Sequence, residues 1–157
     1  MRIGQGLDVH RFSDDSSREL RLGLVRIDGE RGLEGHSDAD VVSHALIDAL
    51  LGAANLGDIG RHFPDHDPQF AGVASRTMLT EVLRRVSAAG FRPVSADVTI
   101  VAERPKLAPY MPAMSEELSA EVGCVVSVKA TTFEGLGALG RGEGIAATAI
   151  ALLEEFS

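Results

Sequence analysis

Two periods alternate along this chain. Near its start, Ile3, Leu7 and Val9 interleave with Gly4, Gly6, Asp8 and His10, which predicts a strand with one apolar face and Asp8 and His10 pointing the same way. Ser37 followed by Asp40 has the form of a capping box. Val42, Leu46, Ala49, Leu50 and Ala53 continue at helical spacing, so a helix is predicted from about Asp38 to Asn55. Gly57 to Pro68 has no period and reads as a carboxylate-rich loop. Ser75 can cap a second helix with Met78, Leu79, Val82, Leu83 and Val86 on its apolar side, Glu81, Arg84 and Arg85 on its polar side, and Gly90 as a left-handed stop.

The second half repeats the alternation of strand and helix. Ala96, Val98, Ile100 and Ala102 mark a strand that breaks at Pro105, Met111, Met114, Leu118 and Val122 a helix ending at Gly123, and Val126, Val128 and Ala130 a further strand. A glycine-dense turn from Gly135 to Gly144 leads to the apolar segment Ile145 to Phe156, which periodicity alone leaves open between helix and strand. This order fits an α+β fold, an α/β sandwich whose mixed sheet carries helices on one face. With 157 residues and 45% hydrophobic content, a single domain spanning 1–157 is expected.

Charge narrows the partners. With 23 acidic against 15 basic side chains the formal charge is −8, which repels nucleic acid and anionic membranes, so an anionic ligand has to be held by a local device. A single cysteine, Cys124, permits no internal disulfide, and the opening Met1-Arg2-Ile3 is strand-like, so a cytoplasmic location is expected. The most apolar run, Ile145 to Leu153, falls short of the ~20 residues of a spanning helix.

Asp8 and His10 on a strand and His44 on a helix offer one oxygen and two nitrogen donors, the set a catalytic zinc uses with a fourth position open. The spacing equally suits hydrogen-bonded surface residues. Asp40 and Asp48, four residues either side of His44, are placed to orient its ring or simply to face solvent. His36 and Ser37 at the predicted helix start suit a phosphate, or serve as loop and cap. Lys106 just beyond a strand end suits a phosphate as a point charge, and the carboxylates Asp58, Asp65 and Asp67 suit polyol hydroxyls or a hard cation. Thr131-Thr132-Phe133-Glu134 ends a strand beside glycine-rich backbone, which either exposes its hydroxyls and carboxylate or only packs a turn.

Taken together, several ordered blocks closely resemble the 2-C-methyl-D-erythritol 2,4-cyclodiphosphate synthase family. They are Gly6-Leu7-Asp8-Val9-His10-Arg11-Phe12, His36-Ser37-Asp38-Ala39-Asp40, His44 to Gly52, Gly57-Asp58-Ile59-Gly60, Phe63-Pro64-Asp65-His66-Asp67-Pro68, Pro105-Lys106-Leu107, Lys129-Ala130-Thr131-Thr132 and Gly140-Arg141-Gly142-Glu143-Gly144-Ile145. The likeness runs over essentially the whole chain and looks like the stand-alone synthase. It implies a phosphorus–oxygen lyase that closes a cytidylyl methylerythritol phosphate into a cyclic diphosphate and releases CMP. It also implies a homotrimer with sheets facing the central axis and active sites between subunits.

By the same resemblance Asp8, His10 and His44 hold zinc, Glu134 holds magnesium or manganese, and His36 and Thr132 stabilise the transition state. Substrate contacts fall on Asp8, Val9, His10, His36 and Ser37; on Asp58, Ile59, Gly60, Phe63, Pro64, Asp65, His66 and Asp67; on Ala102, Glu103, Arg104, Pro105, Lys106, Leu107 and Ala108; and on Thr131, Thr132, Phe133 and Glu134. Ala138 and Arg141 belong to a central cavity that takes an isoprenoid diphosphate in the family. Gln5, Ala39 and Phe133 stand where the family commonly has His, Gly and Thr, and Ala138 and Thr148 where it has an aromatic and an acidic residue, so the cavity departs most from the family pattern. A zinc phosphohydrolase would use the same three donors and is separated from the synthase by its linear product, and a metal-stabilised binding protein by a saturated fourth zinc position.

Overall fold

The computed structural model describes residues 1–156. A four-stranded mixed sheet has the order β1 (Arg2–Arg11), β6 (Gly144–Glu155), β4 (Phe91–Val101), β5 (Val125–Thr131). β1 and β4 each run antiparallel to the central β6, and β4 runs parallel to β5, joined to it through α4 (Met111–Val122). The last apolar segment is thus a strand.

Helix α1 (Val41–Ala53) packs on β1, β6 and β4, with α3 (Ser75–Ala88) against it. It is apolar almost all round, burying Val41, Val42, Ala45, Leu46, Ile47, Ala49, Leu50, Leu51 and Ala53, as suits a helix enclosed by other elements. α3 is one-sided: Met78, Leu79, Val82 and Val86 face inward, while Glu81, Arg84 and Arg85 pair on its surface. α4 ends where expected, with Gly123 at φ 81° as a left-handed cap.

Four features refine or correct the expectations. The faces of β1 divide as expected, with Asp8 and His10 together, and its apolar face is the outer one: Ile3, Leu7 and Val9 are exposed, and Gly4, Gly6, Asp8 and His10 turn toward α1. A Cβ on Gly6 would lie 1.8 Å from the carbonyl oxygen of Ala45, and one on Gly4 2.0 Å from that of Ala49, so the strand lies closer to the helix than any side chain allows. Secondly, Asp40 itself caps α1 through Val42 and Ser43 N–H, and Ser37 is not the cap. Thirdly, Ser75 is the first residue inside α3 and not its cap; Asp38 takes its N–H from outside. Finally, Gly57 to Pro68 is not uniform loop, because Asp58 caps the short helix α2 (Ile59–His62) and Asp67 caps a 3-10 turn that starts at Pro68.

A hairpin, β2 (Leu20–Leu22) and β3 (Val25–Ile27), escaped the pattern reading because strands of three residues show too little alternation. Its turn residues Gly23 and Leu24 both have positive φ, 59° and 67°. The Asp40 carboxylate takes both of their N–H groups, 2.8 Å each. The glycine-dense turn likewise holds one short helix, α5 (Gly137–Gly140).

Candidate metal centre and cleft

The close approach of β1 to α1 creates the site. With glycine at positions 4 and 6, the next inward residues, Asp8 and His10, meet the first turn of α1, where His44 sits beside Ala45. One ligand atom from each of the three lies within 4.8 Å of the others. Oδ2 of Asp8 is 3.0 Å from Nε2 of His10 and 3.1 Å from Nδ1 of His44. The two rings meet edge to face, 5.7 Å between centroids.

The protonation of His10 follows from its partners. Its Nδ1 is 2.6 Å from the Glu34 carbonyl oxygen, an acceptor, so Nδ1 carries the hydrogen and Nε2 faces the Asp8 carboxylate. Two lone pairs cannot hold a 3.0 Å separation, so a proton or a cation lies between them. Burial works against charge on both groups, but the Asp8 contact outweighs it and raises the His10 pKa above its ordinary value. In the same way, burial opposes ionisation of Asp8, and hydrogen bonds and charge from His10 and His44 more than reverse this, holding its carboxyl well below the usual range. A centre that draws in positive charge, built of two imidazoles and one carboxylate, fits zinc with an open fourth position.

The centre opens on a cleft of about 490 Å³. Of the residues expected to contact substrate, His36, Ser37, Ile59, Gly60, Phe63, Pro64, Asp65 and His66 line it with the three donors. Its floor is apolar: Phe63 and Phe70 stack edge to face at 5.4 Å beside Val73 and Met78. His36 reaches the Asp67 carbonyl through Nε2 at 3.2 Å. Asp58 and Asp67 turn their carboxylates to the N–H groups of Arg61 and Gln69.

The remaining expected residues lie elsewhere. Val9 is on the outer sheet face and borders a separate concavity with Ala138, while Arg141 pairs with Glu143. The ends of β4 and β5 form a second patch: Ala102 N–H bonds the Thr131 carbonyl at 3.0 Å, and Glu103 accepts from Phe133 N–H at 3.0 Å. Lys106, Ala108, Thr131, Thr132 and Glu134 are exposed there, Ala102 and Leu107 are buried beneath it, and the Thr132 hydroxyl accepts from Glu134 N–H. Arg104 lies against Gly142, beside Pro105. Among the described residues, none of 102–108 or 131–134 lines the cleft of Asp8.

Neither carboxylate suggested as a partner for His44 touches it. Asp40 is spent on the hairpin and the cap, and Asp48 accepts from Ile59 N–H at 2.7 Å. The ring's Nε2 instead meets the hydroxyls of Ser75, 3.0 Å, and Ser37, 3.2 Å. Ser75 stands 31 positions from His44, and no local pattern links the two.

No helix among the described residues is long and apolar enough to cross a membrane. The chain matches the YgbB family over residues 1–154. It is 56% identical over 157 residues to the 2-C-methyl-D-erythritol 2,4-cyclodiphosphate synthase of Laribacter hongkongensis, spanning 98% of this chain and 96% of that one. A solved 2C-methyl-D-erythritol-2,4-cyclodiphosphate synthase in its CDP-bound form superposes with a TM-score of 0.87 at 38% identity, covering 98% of this chain and all of the other. The bifunctional IspDF of Campylobacter jejuni superposes at 0.93 with 39% identity; there the match covers 99% of this chain but only 42% of the longer partner.

Proposed function

The chain belongs to the YgbB family, and we propose that it converts 4-diphosphocytidyl-2-C-methyl-D-erythritol 2-phosphate to 2-C-methyl-D-erythritol 2,4-cyclodiphosphate and CMP, a step of non-mevalonate isoprenoid synthesis. The observation that carries this reading is the centre of Asp8, His10 and His44, which draws in positive charge at the mouth of a cleft walled by His36, Ser37, Gly60 and Asp65.

In this reaction an oxygen of the 2-phosphate forms a bond to the β-phosphorus, and the bond from that phosphorus to the oxygen bridging it to the α-phosphate breaks, so CMP leaves. The attacking phosphate is already ionised near neutral pH, and no strong general base is needed. What is needed is that two anions meet in line, a matter of positioning and charge neutralisation. Aligning a nucleophile within one molecule is worth about 7–11 kcal/mol. Asp8, His10 and His44 would hold zinc, which would supply Lewis acidity to the β-phosphate, and Glu134 would hold magnesium or manganese, which would add to the charge neutralisation. The His36 ring and the Thr132 hydroxyl stabilise the charge that develops. Asp58, Gly60 and Asp65 hold the methylerythritol phosphate, and 102–108 with Thr131 and Thr132 cradle the cytidine diphosphate, Lys106 meeting its charge.

Because 102–108 and 131–134 stand apart from the Asp8 cleft, the reading takes each active site to be shared by neighbouring subunits of a homotrimer. The exposed apolar residues of β1 support that assembly. Arg141 would face an isoprenoid diphosphate at the trimer axis. The chain works as a single domain in the cytoplasm.

Phosphorus NMR of zinc-loaded protein with this substrate and magnesium tests the reading. Equal amounts of cyclic diphosphate and CMP are expected; CMP with a linear phosphate would make the protein a hydrolase instead. His44→Ala should lose zinc together with several kcal/mol of transition-state stabilisation, about 10³-fold or more in kcat. Lys106→Ala should chiefly raise KM.

A further inference from the structure

The His44 ring is buried, and its Nε2 meets the hydroxyl of Ser37 at 3.2 Å and, closer, that of Ser75, behind which stands Asp38. Nε2 of His44 lies 3.0 Å from Oγ of Ser75. That hydroxyl lies 2.5 Å from Oδ1 of Asp38, whose Oδ2 accepts Ser75 N–H at 2.8 Å. Ser75 is fully buried.

A serine hydroxyl has one proton. At 2.5 Å from a carboxylate oxygen the Ser75 proton is given to Asp38, because an ionised carboxylate can only accept. Ser75 therefore presents a lone pair to His44, and the contact holds only if Nε2 carries a hydrogen. A neutral imidazole with its hydrogen on Nε2 has its lone pair on Nδ1, the atom 3.1 Å from Oδ2 of Asp8. The hydrogen bond behind the ring thus decides which nitrogen faces the centre. His10 is fixed in the opposite sense by the backbone carbonyl of Glu34, which directs its Nε2 to the same carboxylate oxygen. One ring is set by main chain and the other by side chains, so only the second can be altered by substitution.

We propose that Asp38 and Ser75 are positioning residues that hold His44 in its Nε2–H tautomer and aim Nδ1 at the metal. This rests on reading Asp8, His10 and His44 as a metal site.

Two measurements test it. In zinc-loaded protein, long-range proton–nitrogen correlation of the labelled His44 ring should show the hydrogen on Nε2 and none on Nδ1; an Nε2 without a hydrogen would overturn the proposal. Zinc affinity, read by competition with a chromophoric chelator, should fall roughly 10- to 100-fold in Ser75→Ala and recover with the hydroxyl restored in Ser75→Thr. Ser75→Ala keeps the main-chain bond to Asp38, so α3 retains its cap. Unchanged affinity in Ser75→Ala, with Asp8→Ala abolishing binding, would overturn the role of the pair and leave the metal site standing. Zinc binding that survives Asp8→Ala would overturn the metal site and the pair with it.

Discussion

Asp40 and Asp48 flank His44 at helical spacing and could equally have steered its ring; the fold uses both for construction instead. Asp40 is fully buried, and five donors converge on it: Oδ1 accepts from the N–H groups of Gly23, Val42 and Ser43, and Oδ2 from Leu24 N–H and the Ser43 hydroxyl. Burial pushes its pKa up, and the bonds from Leu24 and Ser43 pull against that. Asp40→Ala removes a helix cap, worth about 0.5–2 kcal/mol, and strands buried N–H groups at about 1–3 kcal/mol. Chemical denaturation should show a loss of about 1.5–5 kcal/mol, with kcat of the folded fraction little changed. An Asp40→Ala protein as stable as the parent would show that water replaces the carboxylate. At this scale the donors Asp8, His10 and His44 were legible through the family resemblance, since residue type and spacing alone left them equally open to a hydrogen-bonded surface. Ser75 was not: its pairing with His44 spans two elements, and a serine at a helix start reads as a cap wherever it occurs.

Helices α1, α3 and α4 and the sheet strands β1, β4 and β5 follow from periodicity, because burial on one side imposes the repeat; β6, buried on both faces over its first residues, shows no such repeat, which leaves it open between helix and strand. Which side is buried is a separate question, and β1 shows why alternation cannot answer it. Period two divides the residues into two sets, and the usual inference assigns the apolar set to the core. Here the inward set includes Gly4 and Gly6, and its contribution is the absence of a side chain. That proximity brings Asp8 to His44, so Gly6→Ala should disturb two quantities together. Its Cβ would sit 1.8 Å from the backbone of Ala45, and the helix must retreat. Overpacking of this kind costs about 1–3 kcal/mol or more. Calorimetry should show the drop in stability and a chelator titration a weaker zinc site in the same variant. Gly52→Ala is the control within α1: the nearest atom to its added Cβ is 4.0 Å away, and replacing a helical glycine should stabilise by about 0.5–1 kcal/mol with zinc affinity unchanged.

Across the whole molecule, the outer sheet face joins an apolar stripe to a polar one. Ile3 and Leu7 of β1 and Ile150 of β6 are exposed, and across the face Asp97 bonds Ser127 and Lys129 on β4 and β5. Patches of this kind mark interaction surfaces. The sequence pattern put Ile3, Leu7 and Val9 on one face of β1, and alternation alone does not say that this face is the outer one. The same scale separates the Asp8 cleft from the patch at Glu134. If neighbouring subunits complete each site, Leu7→Asp should yield smaller species by light scattering and abolish turnover while zinc still binds, since the three donors lie within one chain. Mixing makes a sharper test. His44→Ala and Glu134→Gln homotrimers would each be inactive, the first lacking the zinc centre and the second its partner patch. Co-refolded at equal amounts, the two chains would rebuild a wild-type pair at about a quarter of the sites in a closed heterologous ring. Recovery near that fraction places the two halves of each site on different subunits. Recovery of nothing, with mixed trimers demonstrated by mass, would mean that one chain folds its own Glu134 patch onto its own cleft.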